Sequence, residues 1–275
     1  MSKTLLITGG TSGIGRSAVL TLMEEGWKII LLARDESKVR ELMMNDKAGL
    51  VSWVHCDLTD FGSVKKAAHH IRTTVPQIDV LMNNAGGIVP TKQVTVDGFE
   101  RTFSMNHLGH FFLTTELMEL LIKSKTRIIN VSSSLHKRGK LVIDDLMWQN
   151  RPYQSIQAYS DAKLFAIYFT RELHNRFHKA GITSFSLHPG VVTTNFGNEF
   201  KGVTAVLIQL FRLFMITPKE GAKTQVFLAV REGIERQSGL YFEKERAKSP
   251  SALALSDENA EHLWEVSEQL VEPFR

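Results

Sequence analysis

The sequence predicts an α/β protein: a single doubly wound parallel sheet flanked by helices on both faces. Two observations carry this. Short apolar runs recur along the chain, each followed by a longer amphipathic stretch, the order that right-handed strand–helix–strand crossovers require. Several runs, I-I-L-L-A among them, are apolar without alternation, as strands buried on both sides are.

The elements follow in order. T-L-L-I-T at 4–8 opens the sheet, and a helical pattern covers about 14–25. K-I-I-L-L-A (28–33) and V-S-W-V-H-C (51–56) are the next strands, with helices at 36–46 and 61–75. I-D-V-L-M-N (78–83) precedes a long helix over 97–123, and R-I-I-N-V-S (127–132) precedes another over 155–179. T-S-F-S-L-H (183–188), a helix at 218–231 and a short strand, G-L-Y-F (239–242), complete the sheet. The tail D-E-N-A-E-H-L-W-E-V-S-E-Q-L reads as an amphipathic helix turning Leu263, Trp264 and Leu270 inward. No repeat, low-complexity tract or linker divides residues 1–275, so one domain is expected.

Composition narrows the function. With 43% hydrophobic and 23% charged residues, the chain can bury an ordinary globular core. The net charge is +4 and no long basic block exists, which argues against nucleic acid as a partner. Cys56 is the only cysteine, so an intrachain disulfide is impossible and a reducing compartment fits. The first strand begins within three residues, with no signal or anchor ahead of it, and a cytoplasmic location is expected.

In such a sheet, ligands bind beyond the carboxyl ends of the strands. T-G-G-T-S-G-I-G, residues 8–15, sits there after the first strand. Glycines let backbone approach a ligand without a Cβ between, and the following helix start offers free N–H groups to a pyrophosphate. The spacing Gly9-x3-Gly13-x-Gly15 lacks the Gly-Lys-Ser/Thr ending of a nucleoside-triphosphate loop. At the tip of the second strand, where an NAD-selective site carries an acid, stand Ala33 and then Arg34. A guanidinium there suits the 2′-phosphate of NADP(H), which is expected over NAD(H). Later, Tyr159 and Lys163 lie four apart in A-Y-S-D-A-K and share one helix face.

These motifs, with C-D-L (56–58), N-N-A-G (83–86), M-N-H-L-G-H-F (105–111), I-I-N-V-S-S-S (128–134) and H-P-G-V-V-T-T (188–194), stand in the order found in short-chain dehydrogenases/reductases. The chain resembles that family, and within it the retinol-dehydrogenase-like branch. The resemblance implies a single Rossmann-type domain in which Tyr159 is the acid/base, Lys163 tunes it, Ser133 bonds the substrate oxygen, and Asn106 holds a water linking Lys163 to solvent. A cation beside a phenol favours phenolate, so Lys163 is expected to draw the Tyr159 pKa down toward the working range. The implied cofactor contacts are Gly9, Ser12, Gly13, Ile14 and Gly15 at the pyrophosphate turn, with Arg34 at the 2′-phosphate. Asp57 and Leu58 would edge the adenine, with Asn84 and Gly86 beside the ribose; Asn84 also suits the fixing of neighbouring strands. Tyr159 and Lys163 would reach the nicotinamide ribose, and Pro189, Gly190, Val192 and Thr194 the carboxamide. Two departures stand out: Ala162 replaces a common serine, and Asp161 is an unusual acid, expected to point away from Tyr159.

The stretch 195–217 falls where the family carries its substrate lid. From 203 to 216 only Thr204, Gln209 and Arg212 interrupt the apolar run, which is too short for a bilayer span. A buried helix, a lid over an apolar substrate and contact with a membrane surface all fit that pattern. His107/His110 and His174/His178 have helical spacing but no acid or cysteine to complete a set, so no metal is expected. The resemblance also implies a homodimer or homotetramer pairing through the helices at 97–123 and 155–179. The expected activity is NADP(H)-dependent hydride transfer to or from an apolar aldehyde, ketone or alcohol. The alternative is a catalytically silent NADP(H) sensor, against which the intact Asn106, Ser133, Tyr159 and Lys163 count.

Overall fold

The computed structural model describes residues 2–44, 46–191 and 216–275. Its sheet is built from β1 (Thr4–Thr8), β2 (Lys28–Ala33), β3 (Val51–His55), β4 (Val80–Asn83), β5 (Arg127–Val131), β6 (Thr183–His188), β7 (Tyr241–Glu243) and β8 (Arg246–Ala247). The spatial order is β3-β2-β1-β4-β5-β6-β7-β8, parallel throughout except for the β7–β8 pair. The chain walks outward from β1 to β3 and then returns to place β4 against β1. The switch in order therefore lies between β1 and β4, whose carboxyl ends carry the glycine turn and N-N-A-G.

Helices α1 (Gly13–Glu24), α2 (Glu36–Met43) and α8 (Pro218–Val230) cover one face. Helices α3 (Phe61–Thr74), α5 (Gly109–Glu116), α7 (Ser155–Phe177) and α9 (Asp257–Val271) cover the other. Side chains of β1 divide between the two layers, Leu5 and Ile7 to the first and Leu6 to the second, as the two-residue strand period demands. The expected strands are present, the last one beginning at Tyr241 rather than 239.

The long helix expected over 97–123 is broken up. Residues 94–100 instead form a turn closed by a Val94–Glu100 bridge, with Gly98 at φ 87°. The Glu100 carboxylate then caps α4 (Arg101–Phe103), accepting from Thr102 and Phe103 N–H at 2.8 Å each. A π-type widening follows over Ser104–Leu108, then α5, then α6 (Met118–Ser124).

Helix α9 lies along α7 and reaches α5. Trp264 meets Phe111 edge-on at 4.9 Å and stacks on Phe169 at 5.8 Å. Ser267 Oγ donates to the Leu263 carbonyl and so accepts from His107 Nε2 at 2.9 Å. As a result, residues 161–170 of α7 are all buried within one chain. His110 is likewise buried and bonded to Thr8 Oγ1 at 2.9 Å.

Burial holds both His107 and His110 neutral, pushed down to about 3. The unfolded chain binds protons below about pH 6.5 that the folded chain refuses until about pH 3, so stability is lost as pH falls through that window. The pair is expected to cost roughly 4 kcal/mol by pH 5. Urea unfolding at pH 7 and pH 5 checks this, and equal midpoints would contradict it.

Candidate active site

The glycine turn after β1 is shaped for close approach. Gly9 and Gly13 take φ of 66° and 53°, a region that side chains disfavour. A Cβ on Gly15 would lie 2.3 Å from the Gly9 carbonyl oxygen. Ser12 caps α1 in extended conformation without bonding the helix through its side chain, and the first turn carries no acid. The N–H end of α1 thus faces the cleft unscreened by a carboxylate, which fits a pyrophosphate. The Ile14 carbonyl accepts from Gln225 Nε2 at 2.9 Å, fastening α1 to α8.

Asn84 braces this turn. Its Nδ2 donates to the Thr8 and Gly9 carbonyls, both at 3.0 Å, so it fixes the neighbouring strand ends. Thr8 Oγ1 accepts from Asn84 N and Ala85 N at 3.0 Å and also bonds His110. Sequence reasoning missed Thr8 and His110. The available signal was a hydroxyl ending an otherwise apolar strand.

At the far end of the cleft, Arg34 pairs with Asp57, Nη1 to Oδ2 at 3.6 Å, and not with its neighbour Asp35. Asp35 is occupied as the cap of α2, bonding Ser37 and Lys38 N–H. Thr59 bonds and Arg34 together hold the Asp57 carboxyl below its usual range despite partial burial. The Leu58 side chain packs into the core, and a Cβ on Gly109 would lie 2.4 Å from the Leu58 carbonyl.

The expected catalytic residues converge at the ends of β5 and β4. Ser133 begins a 3₁₀ turn just past β5, its Oγ accepting from Leu135 N at 3.2 Å and hydrogen-bonded to Tyr159. Lys163 lies one turn along α7, with Nζ 5.3 Å from the Tyr159 ring centre and donating to the Val131 carbonyl at 3.0 Å. A Cβ on Gly86 would sit 3.1 Å from that Nζ and 2.4 Å from Asn106 Oδ1, so glycine is needed there. Asn106 clamps the same turn: Oδ1 accepts from Gly87 N, and Nδ2 donates to the Gly87 and Thr102 carbonyls. Its side chain is therefore a backbone staple.

Desolvation works against the downward pull expected of Lys163 on Tyr159. Burial pushes the Tyr159 hydroxyl up to about 12, and the Ser133 bond offsets this only in part. Burial also pushes the Lys163 ammonium down to about 8. Lys163 Nζ is aimed at the Val131 carbonyl, and desolvation favours the neutral phenol of Tyr159.

Pro189 and Gly190 follow β6, with Gly190 at φ 94° and Ile216 N bonded to the Val191 carbonyl at 2.8 Å. Val192 and Thr194 lie outside the described residues, as does nearly all of the 195–217 stretch.

A glycine turn at the switch point and a Ser-Tyr-Lys group facing it recur in one family, and comparison decides the matter: the short chain dehydrogenase family model matches residues 3–202. The chain is a short-chain dehydrogenase. It is 37% identical over 279 residues to human retinol dehydrogenase 13, covering 98% of this chain and 84% of that one. Human retinol dehydrogenase 12 is 36% identical over 274 residues, with 98% and 86% covered. Among solved structures, an uncharacterized protein from Mycobacterium paratuberculosis superposes with a TM-score of 0.81 at 30% identity, covering 98% and 93%. The NADPH-bound carbonyl reductase from chicken fatty liver shares the fold at 24% identity, TM-score 0.66, covering 90% and 99%. This short-chain dehydrogenase is thus a retinol-dehydrogenase-like oxidoreductase.

Proposed function

We propose that the protein is an NADP(H)-dependent oxidoreductase of apolar aldehydes, ketones or the matching alcohols, with Tyr159 as acid/base. The observation that carries this is the half-buried Ser133–Tyr159 hydrogen bond, with Lys163 one helical turn away at the same cleft. The nicotinamide, when bound, supplies or accepts the hydride. Ser133 and Tyr159 both present hydroxyls to the substrate oxygen, and Tyr159, neutral at pH 7, delivers the proton as the oxygen gains charge. Lys163 stabilises the phenolate left behind. Asn106 and Val131, whose carbonyl holds Lys163 Nζ, line one small cavity, which supports a water link from the lysine through the Asn106 main chain. The names of the relatives support a lipophilic substrate.

NADP(H) is favoured because Arg34 stands half-exposed at the β2 tip with no acid at Ala33. Solved neighbours hold either cofactor, one reductase NADH and another NADPH, so the choice rests on Arg34. Arg34→Ala is expected to weaken NADPH by about 2 kcal/mol, roughly thirtyfold, and NADH by little. Fluorescence titration with both cofactors tests this, and equal weakening would place selectivity elsewhere.

Among the described residues no helix is long and apolar enough to cross a membrane. Pairing through α5 and α7 would require α9 to leave them. Any pairing of two copies is therefore expected to use surfaces other than α5 and α7. A dimer with α7 protected from amide exchange would contradict this.

A further inference from the structure

The acid that departs from the family pattern, Asp161, has a structural partner that suggests its use. It lies two residues from both Tyr159 and Lys163, on the other side of α7, and is 3% exposed. Its Oδ1 accepts from Lys140 N at 2.8 Å and Gln157 Nε2 at 2.6 Å. Its Oδ2 has no hydrogen bond and faces Arg151 Nη2 at 3.6 Å.

Arg151 joins Asp161 to the connection running from Ser133 to α7. Its Nε lies 3.3 Å from Asp145 Oδ2, and its Nη2 donates to the Asp145 carbonyl at 3.3 Å. Asp145 Oδ1 in turn accepts from Gln149 and Asn150 N–H, so it shapes the loop that carries Arg151. The guanidinium stacks 3.7 Å above the Trp148 ring. Trp148 takes φ 54°, a left-handed conformation that costs a bulky residue free energy and persists only where its surroundings hold it. Its carbonyl accepts from Lys92 Nζ at 2.7 Å, and its ring meets Tyr153 edge-on. Tyr153 hydroxyl donates to the Val89 carbonyl at 3.0 Å. One loop, leaving Ser133 and arriving at Tyr159, is thus fastened to the catalytic helix and to the segment after N-N-A-G.

We infer that Arg151 and Asp161 form a latch that positions the Ser133-to-Tyr159 loop against α7 and so sets the alignment of Ser133 with Tyr159 on the substrate side of the cleft. Both are positioning residues; neither touches the reacting atoms. A guanidinium suits the task because its planar fork spans two carboxylates while its face stacks on an indole. This inference rests on the proposed role of Tyr159.

The test uses the NADPH complex of the full chain with Asp161→Asn, Arg151→Gln and the double variant. Asparagine keeps an acceptor for Lys140 N and Gln157 but loses the charge pair. Amide exchange over 139–154 is expected to quicken about tenfold in either single variant, with residues 8–16 unchanged and no further gain in the double variant. kcat/KM for whichever of nonanal or all-trans-retinal the wild type reduces is expected to fall about tenfold through kcat, with the NADPH Kd held within about twofold. Unchanged exchange would overturn the latch. Quickened exchange with unchanged kcat would overturn its positioning role. Tyr159→Phe runs beside them: if that variant still turns over, the reading of Tyr159 has failed, whereas a dead Tyr159→Phe beside an unaffected Asp161→Asn condemns the latch alone. Should Arg151→Gln fail to fold, Arg151→Lys keeps the charge without the fork, and recovery of only part of kcat is expected.

Discussion

Tyr159→Phe is expected to lower turnover about a thousandfold while the NADPH Kd moves by less than about threefold. The two readouts separate because of how the ring is held. Burial keeps the phenol neutral, so removing its oxygen takes away no charge, and the phenylalanine ring occupies the same place 5.3 Å from Lys163 Nζ. What disappears is the proton source and the bond to Ser133. Stopped-flow reduction and fluorescence titration of one preparation measure both quantities. Retained turnover would assign the proton to another group. The pH dependence follows from the same environment. Reduction needs Tyr159 protonated and Lys163 charged, so with saturating NADPH the reductive rate is expected to hold at neutral pH. It should fall as pH rises through about 8, where Lys163 loses its proton.

Gly15→Ala is expected to abolish cofactor binding, at least about a hundredfold, and to lower stability by about 1–3 kcal/mol. The new Cβ would lie 2.3 Å from the Gly9 carbonyl oxygen and 2.4 Å from Asn84 Nδ2. Neither can retreat cheaply. Gly9 already holds positive φ, and Asn84 Nδ2 is bonded to the Thr8 and Gly9 carbonyls. The clash therefore opens the turn that receives the pyrophosphate. Gly26→Ala is the control: φ is 80° there, but nothing lies within 4 Å of the added Cβ. It should show backbone strain of about 1 kcal/mol in thermal unfolding and unaltered NADPH titration. Matching losses in the two variants would mean the turn is not a cofactor cradle.

Much of this arrangement could be read in the chain. Runs such as I-I-L-L-A are strands because both faces of the sheet are covered, and that leaves an unbroken apolar signature. The glycine turn was legible because its backbone conformation is open to few other residues. What the chain concealed was tertiary in origin. The helix over 97–123 has an apolar pattern throughout, yet it is interrupted where Asn106 reaches back to Gly87 and where Val94 bridges Glu100. The inward stripe of Leu263 and Trp264 was visible, but its resting place on Phe111 and Phe169 was not. The i, i+4 spacing of Tyr159 and Lys163 showed the pair without showing the desolvation that acts on both. Likewise, a lone Asp161 read as an oddity until Arg151 was brought beside it.

The account turns on hydride transfer at Tyr159, and the most direct measurement is a single turnover. NADPH-loaded protein is mixed with excess all-trans-retinal or nonanal, nicotinamide absorbance is followed, and the products are separated. The account predicts loss of one equivalent of NADPH per site with one equivalent of alcohol formed, and neither signal in Tyr159→Phe. Tight NADPH binding with no alcohol from a broad panel of apolar carbonyls would contradict it and leave a nucleotide-binding protein that senses rather than catalyses.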